Sequence, residues 1–341
     1  MTDCQSVFIT RHGPPTVLQL QSSSLPNPKQ HEVQVEIKYS GINFADIMSR
    51  IGLYTTRLKP PYILGMEIAG VVEKIGSDEF NPMLGKPVVG ICTSGGYSTY
   101  VNVPAEQLFI IEKKWLTIGA SIPVNYLTAY FMILHQGCLR KDETILIHGI
   151  GGGVGIAALQ ISQKIGATII GTASLGKHAK IKELGINNLI DYRSEKFYEK
   201  VMDITNGRGV DLVLDPLGGK DLSNSYKCLT EFGRVGVYGF STAVTGLKRN
   251  YIKILPKFLQ MPSFNPRHLM MKNLGVFGFH LGMIRRRKDL IDRYGKILFE
   301  CLDERTINPM IDSIFDLENA ADAHQYIADR KNIGKVLLKS D

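Results

Sequence analysis

Five glycines fall within eight residues in His148-Gly149-Ile150-Gly151-Gly152-Gly153-Val154-Gly155. They sit between a short apolar segment, Glu143-Thr144-Ile145-Leu146-Ile147, and a run from Val154 to Lys164 with helical spacing that ends at Gly166. A strand that turns this tightly into a helix belongs to a βαβ unit. Its glycines let the backbone approach a pyrophosphate, and the helix N-terminus supplies unpaired N–H groups and partial positive charge. The pattern continues with strand Thr168–Thr172, a helix from Lys177 to Leu184, strand Leu189–Tyr192, a helix around Phe197 to Ile204 and strand Val210–Asp215. Gly233–Gly239 and Leu274–Phe279 supply two more strands. Strands alternating with helices imply right-handed crossovers and a doubly wound parallel sheet. The stretch Ser241–Asn273, with Pro256, Pro262 and Pro266, reads as an insertion with some helix. After Arg285 come a helix, a second one over Ala320–Ala328 and a last strand, Gly334–Leu338.

The first hundred residues follow another pattern. His31-Glu32-Val33-Gln34-Val35-Glu36-Ile37-Lys38-Tyr39 alternates with period two, and Glu67–Gly76 and Tyr97–Pro104 are similar. Turn signals at Pro26-Asn27-Pro28, Pro60-Pro61, Asn81-Pro82 and Ser94-Gly95-Gly96 separate them, and Asn43 stands where a cap would start a short helix to Arg50. A small antiparallel, barrel-like domain fits. The length of 341 residues suits two domains, and 44% hydrophobic with 21% charged residues excludes a disordered chain. The net charge of +8 is dispersed apart from Arg285–Lys288 and Lys248–Lys257, which argues against nucleic acid as a partner. Five scattered cysteines, without a Cys-x-x-Cys pair, argue against disulfides and against a structural zinc lobe. Without a signal-like start or a membrane-length apolar run, a soluble cytoplasmic protein is expected.

The residues after the second strand, Gly171-Thr172-Ala173-Ser174-Leu175-Gly176-Lys177, include no acid to hold the ribose hydroxyls of NAD. Ser174 and Lys177 instead offer a hydroxyl and a cation to a 2′-phosphate, which favours NADPH; the bland alternative is a solvated first-turn lysine.

Several stretches match a known pattern in order along essentially the whole chain. They are Ser40–Met48 with Gly52-Leu53-Tyr54, Gly65–Val72, Val124–Tyr130, the glycine turn, Asp215-Pro216-Leu217-Gly218-Gly219, Thr245–Asn250, Gly278–Gly282 and Lys331–Leu338. On these residues the chain resembles the zinc-independent medium-chain dehydrogenase/reductases of the quinone oxidoreductase (zeta-crystallin-like) group, especially the vesicle amine transport protein homologue branch. The resemblance implies an α/β fold with a Rossmann domain, residues 125–282, and a GroES-like β-barrel substrate domain, residues 1–124 and 283–341, with the active site between them. Zinc-dependent members place a cysteine where Asn43 stands and a His-Glu pair where Met66-Glu67 stands, so no metal is expected here.

Carried over residue by residue, Tyr54 and Asn43 would flank the nicotinamide and substrate as catalytic groups, and Thr128 would contact the nicotinamide side. Gly152, Gly153, Val154 and Gly155 would hold the pyrophosphate; Ser174, Lys177 and Tyr192 would surround the 2′-phosphate; Leu217, Gly239, Phe279 and Asn332 would add cofactor contacts. Gly149-Ile150-Gly151 replaces alanines common in the group, so a looser turn is expected. Bland roles stand beside these: Asn43 as a cap only, Tyr54 as an aromatic under a loop, Asp46 facing helix backbone, His148 and His280 as packed side chains. Arg285–Lys288 reads as a solvated helix start or as a patch for anionic lipid. The implied reaction is hydride transfer from NADPH to a quinone or α,β-unsaturated carbonyl. The alternatives are an enoyl-thioester reductase and a weakly catalytic NADPH-binding protein docked at a membrane or partner through the insertion. The apolar, uncharged strand Leu274–Phe279 falls at a sheet edge, which implies a homodimer.

Overall fold

The computed structural model describes residues 1–54, 58–244, 246–247, 249–284 and 287–340; of the residues singled out above, Thr245, Lys248, Arg285 and Arg286 lie outside these. Six strands form one all-parallel sheet in the order Asn188–Asp191, Thr168–Ala173, Thr144–His148, Val210–Asp215, Leu229–Val237, Gly275–Gly278. Helices cover both faces of its central strands, so Ile145, Leu146, Ile147, Leu212, Val213 and Leu214 are fully buried. The order reverses beside Thr144–His148, and the glycine-rich turn lies at the carboxyl end of that strand, at the switch point.

A seven-stranded, mainly antiparallel sheet runs Ile311–Asp316, Lys335–Lys339, Glu32–Ile42, Glu67–Ile75, Pro87–Ile91, Leu108–Ile110, with Tyr100–Pro104 also paired to Glu32–Ile42. Leu18–Leu25, Thr2–Ile9 and Tyr62–Ile63 make a third, small sheet. The alternation read in His31–Tyr39 is realised: Val33, Val35 and Ile37 are buried. Two of the seven strands, Ile311–Asp316 and Lys335–Lys339, follow the parallel sheet in sequence and return to complete the barrel half. Helix Lys288–Asp303 joins the two halves, with Tyr294 against Phe131 at 4.7 Å and Phe299 against Phe109 at 5.3 Å between ring centres.

Two local readings change. The helix expected over Lys177–Leu184 starts as a tighter turn, Leu175–Lys177, in which Lys177 N–H donates to Ser174 O at 2.9 Å, and is α-helical only over His178–Lys182. The insertion holds two short helices, Tyr251–Leu259 and Pro266–Lys272, whose N-termini are capped by the side chains of Asn250 and Asn265. The first helix leaves Ile252, Leu255, Phe258 and Leu259 exposed.

Strand Lys335–Lys339 carries a cation into the core. Lys335 is 2% exposed, and its Nζ donates to Glu67 Oε2 at 2.5 Å and to Asn43 Oδ1 at 2.7 Å. Removing one partner leaves a buried charge uncompensated. Lys335→Met is expected to lower the unfolding free energy by about 3–5 kcal/mol in denaturant titrations, with Glu67→Gln in the same chain restoring a large part.

Candidate functional site in the interdomain cleft

The glycine turn is tightly held. Gly149 N–H donates to Thr172 Oγ1 at 3.2 Å, Ile150 N–H to Thr172 O at 3.1 Å and Gly152 N–H to Gly149 O at 2.8 Å. From the far end of the chain, Gly334 N–H donates to Gly151 O at 2.9 Å. The turn at Gly149-Ile150-Gly151, expected to be looser than one built on alanines, is held by buried Ile150 and by the bond from Gly334. Two glycines are sterically required: a Cβ at Gly155 would lie 2.5 Å from Gly149 O, and one at Gly153 would lie 2.2 Å from Asn125 Nδ2. Helix Gly153–Ile165 starts here, with Val154 partly exposed, and its first N–H groups have no acceptor within the helix.

A basic corner lies beside the turn. Ser174 and Lys177 are half-buried, and Lys177 Nζ donates to the Asn332 carbonyl at 2.5 Å. Burial holds the Lys177 ammonium below its ordinary pKa. Arg330 Nη1 donates to Tyr192 Oη at 3.1 Å, and its guanidinium lies 5.7 Å from the ring centre. Burial opposes ionisation of the Tyr192 phenol, but the hydrogen bond and charge of Arg330, followed by those of Arg193, bring its pKa below the usual value. Ser174, Lys177 and Tyr192, expected around one phosphate, lie in one corner, and Asn332, expected as a separate cofactor contact, joins them through its carbonyl. Arg193 and Arg330 were missed, although each stands within two residues of a chosen position, in stretches rich in arginine and lysine.

A second cluster is aromatic. Tyr54 stacks on His280 with 5.6 Å between ring centres, and Phe279 stacks on Phe131 at 5.4 Å. Thr128 is buried on helix Asn125–Tyr130. Leu217 N–H donates to Asp215 Oδ1 at 2.7 Å, and a Cβ at Gly239 would lie 2.8 Å from Pro216 O, so these two residues share one loop bundle. His148 helps to shape that bundle and has no access to the cleft: its Nε2 meets Ser225 Oγ at 3.0 Å, and Ser225 donates to Asp215 Oδ2 at 2.6 Å. All three residues are at most 1% exposed, which excludes them as a nucleophilic triad.

Asn43 stands at the N-cap of helix Phe44–Arg50 with its backbone N–H donated to Asp46 Oδ2 at 2.8 Å. Its side chain is fully engaged: Nδ2 donates to Glu67 Oε2 and Gly41 O, each at 3.2 Å, while Oδ1 accepts from Lys335. The position where zinc enzymes of the resemblance carry ligands thus holds an amide, a carboxylate and an ammonium, and the ammonium already occupies oxygens of the other two. Among the described residues no group of three or more His, Cys, Asp or Glu side chains is placed to hold a metal ion. Glu67 and Lys335 were missed as a pair; the signal available was a charged residue at the head of each apolar strand.

The fold and cleft define a two-domain oxidoreductase architecture. Residues 29–113 match the family described as "Alcohol dehydrogenase GroES-like domain", and residues 153–296 match that described as "Zinc-binding dehydrogenase". The chain is 35% identical over 340 residues to the synaptic vesicle membrane protein VAT-1 homolog of Danio rerio, covering 99% of this chain and 70% of that protein. It is 30% identical over 339 residues to the quinone oxidoreductase of Homo sapiens, covering 98% and 97% of the two chains. The solved structure of Escherichia coli quinone oxidoreductase complexed with NADPH superposes with a TM-score of 0.87 at 28% identity, over 98% of this chain and 99% of that one. The CurK enoyl reductase structure gives 0.85 at 25% identity, over 99% of both. The chain belongs to the medium-chain dehydrogenase/reductase family.

Asp46 is fully buried, and burial raises its pKa from 3.8 to about 7 against the opposing pull of the Asn43 N–H and Lys335. The folded chain therefore takes up a proton here before the unfolded chain does as pH falls. The stability from this group is full below about pH 4 and is lost as pH rises towards 7. Asp46→Asn is expected to flatten the decline, raising stability at pH 7.5 relative to pH 5 by roughly 1–3 kcal/mol in urea titrations.

Proposed function

We propose that this chain is a metal-independent, NADPH-dependent reductase that passes hydride to a quinone or an α,β-unsaturated carbonyl. The observation that carries the reading is the basic corner of Lys177, Arg193, Arg330 and the Tyr192 hydroxyl beside the glycine turn, at a strand end whose residues 171–177 include no acid. These residues fit the 2′-phosphate of NADPH. The unpaired N–H groups at the start of helix Gly153–Ile165, with Gly152, Gly153, Val154 and Gly155, fit its pyrophosphate. Leu217, Gly239, Phe279 and Thr128 would line the path to the nicotinamide. NADPH supplies the hydride when bound.

The protein's part is to orient the acceptor and to stabilise the charge that develops on its carbonyl oxygen. Tyr54, braced by His280, is the donor to that oxygen, and a water delivers the proton. Asn43 acts by position: its amide is held by Glu67 and Lys335 and fixes the helix that leads to Tyr54. The human relative described as a quinone oxidoreductase and the structure of the Escherichia coli quinone oxidoreductase with NADPH support this reading. A second reading is an NADPH-binding protein that docks on membranes. It is favoured by the exposed apolar face of helix Tyr251–Leu259 and by relatives described as vesicle membrane proteins. Among the described residues no helix is long and apolar enough to cross a membrane.

NADPH consumption across a panel of neutral quinones and enones tests the main reading. Turnover is expected with at least one acceptor, unchanged by chelator, in protein holding well below one zinc per chain. No turnover together with cosedimentation on anionic liposomes would favour the second reading. NADPH is expected to bind more tightly than NADH, and Lys177→Ala should reduce that preference by about 1.5–3 kcal/mol. Equal dissociation constants for the two cofactors by calorimetry would remove the basis for the reading.

The strand Gly275–Gly278 ends its sheet, with Phe277 partly exposed. We further propose that two copies pair along this edge. Light scattering at micromolar concentration should give twice the chain mass, and Phe277→Asp should shift it towards one chain.

A further inference from the structure

A cavity of about 340 Å³ opens where the two halves of the molecule meet, lined by Arg11, His12, Gly13, Pro14, Ile51 and Arg249. Both halves contribute. Arg11 to Pro14 lie in the barrel half between strands Thr2–Ile9 and Leu18–Leu25, and Gly13 N–H donates to Arg50 O at 3.0 Å. Arg249 comes from the insertion that follows the parallel-sheet strand Leu229–Val237. It reaches across, donating from Nη1 to Gly52 O at 3.1 Å, with its guanidinium 4.7 Å from the Tyr251 ring centre. Gly52, at φ +75°, is the meeting point: a Cβ there would lie 2.9 Å from His12 Cγ and 3.2 Å from Arg249 Nη1. The imidazole and guanidinium therefore converge, and His12 Nδ1 is buried without a partner.

No carboxylate among the described residues neutralises the charge at this cavity. Among the described residues the ion pairs engage neither Arg11 nor Arg249. Two exposed arginines and the half-buried His12 line the space together with Ile51 and Pro14, and among the described residues no carboxylate lines it. Guanidinium forks pair bidentately with phosphoryl oxygens, and a phosphate ester carries the charge to match two of them. The place is also specific. Gly52, to which Arg249 is bonded, lies two residues before Tyr54, so an anion here would sit beside the loop that presents the proposed acceptor-side hydroxyl.

We infer that this cavity is a subsite for the phosphoryl group of the acceptor, which makes the acceptor an enone or enoyl thioester with a phosphate-ester tail. The inference rests on the reductase reading and narrows its substrate class. Bound between Arg11 and Arg249, the tail would join the two halves and set the distance from its reactive end to Tyr54.

The test has two arms, both on the full chain saturated with NADPH so that the basic corner at Lys177 is filled. In the first, calorimetry with inorganic phosphate should show saturable binding of one ion per chain. Arg11→Ala and Arg249→Ala should each weaken it at least ten-fold, and Arg249→Lys less, while thermal melting confirms folding. Undetectable binding to the unaltered chain, or equal binding to the alanine variants, would overturn the proposal. In the second, the KM for an enoyl thioester of phosphopantetheine is compared with that for a neutral enone. Arg249→Ala should raise the first at least ten-fold more than the second. Phosphate binding without that selective rise would mean a site for free phosphate, and would overturn the assignment to the acceptor. Failure to reduce these two acceptors and every quinone and enone of the panel, with phosphate binding still lost in the variants, would support the anion site, overturn its assignment to an acceptor and overturn the reductase reading.

Discussion

A lysine ammonium enclosed at 2% exposure has to keep its counter-charge, and the arrangement around Lys335 follows from that requirement. Its nitrogen is shared by Glu67 from the middle of the barrel sheet and Asn43 from the start of a short helix. Glu67 spends its other oxygen on Val124 N–H at 2.7 Å, at the point where the chain passes into the parallel-sheet half. One ion pair thus fixes the last strand, the helix leading to Tyr54 and the crossing between halves. In zinc enzymes of the same architecture a metal is coordinated in this region. Here an ammonium, a carboxylate and an amide satisfy one another.

The parallel sheet and its glycine turn could be read in the sequence because their signals are local. A buried parallel strand is a short apolar run, and a tight strand-to-helix turn needs glycine. The barrel could be read in outline from period-two alternation, as Val33, Val35 and Ile37 show. What stayed hidden was long-range. Nothing near Gly151 announces that Gly334 will bond to it, and nothing near Lys177 announces that Asn332 will take its ammonium. Arg193 and Arg330 look like ordinary surface arginines until the fold places them around one phenol. The Arg11–His12–Arg249 cavity needs residues more than two hundred positions apart, and no spacing rule reaches that far.

Each local feature of the cleft has a physical reason. The turn at Gly149-Ile150-Gly151 is held by the burial of Ile150 and by the distant bond from Gly334. The helix after Ser174 is short because its first turn is wound tightly onto the Ser174 carbonyl, which keeps Lys177 directed at Asn332. Asn43 serves as a helix N-cap residue and as a hub of buried hydrogen bonds, and the two roles share one side chain.

The segment Asn332–Lys335 touches the basic corner, the glycine turn and the Asn43–Glu67 pair within four consecutive residues. A displacement of that strip would disturb all three at once: the carbonyl that takes the Lys177 ammonium, the N–H that holds Gly151 and the ammonium that neutralises Glu67. The two halves of the molecule are therefore coupled through four residues of backbone and cannot shift past one another without breaking contacts on both sides.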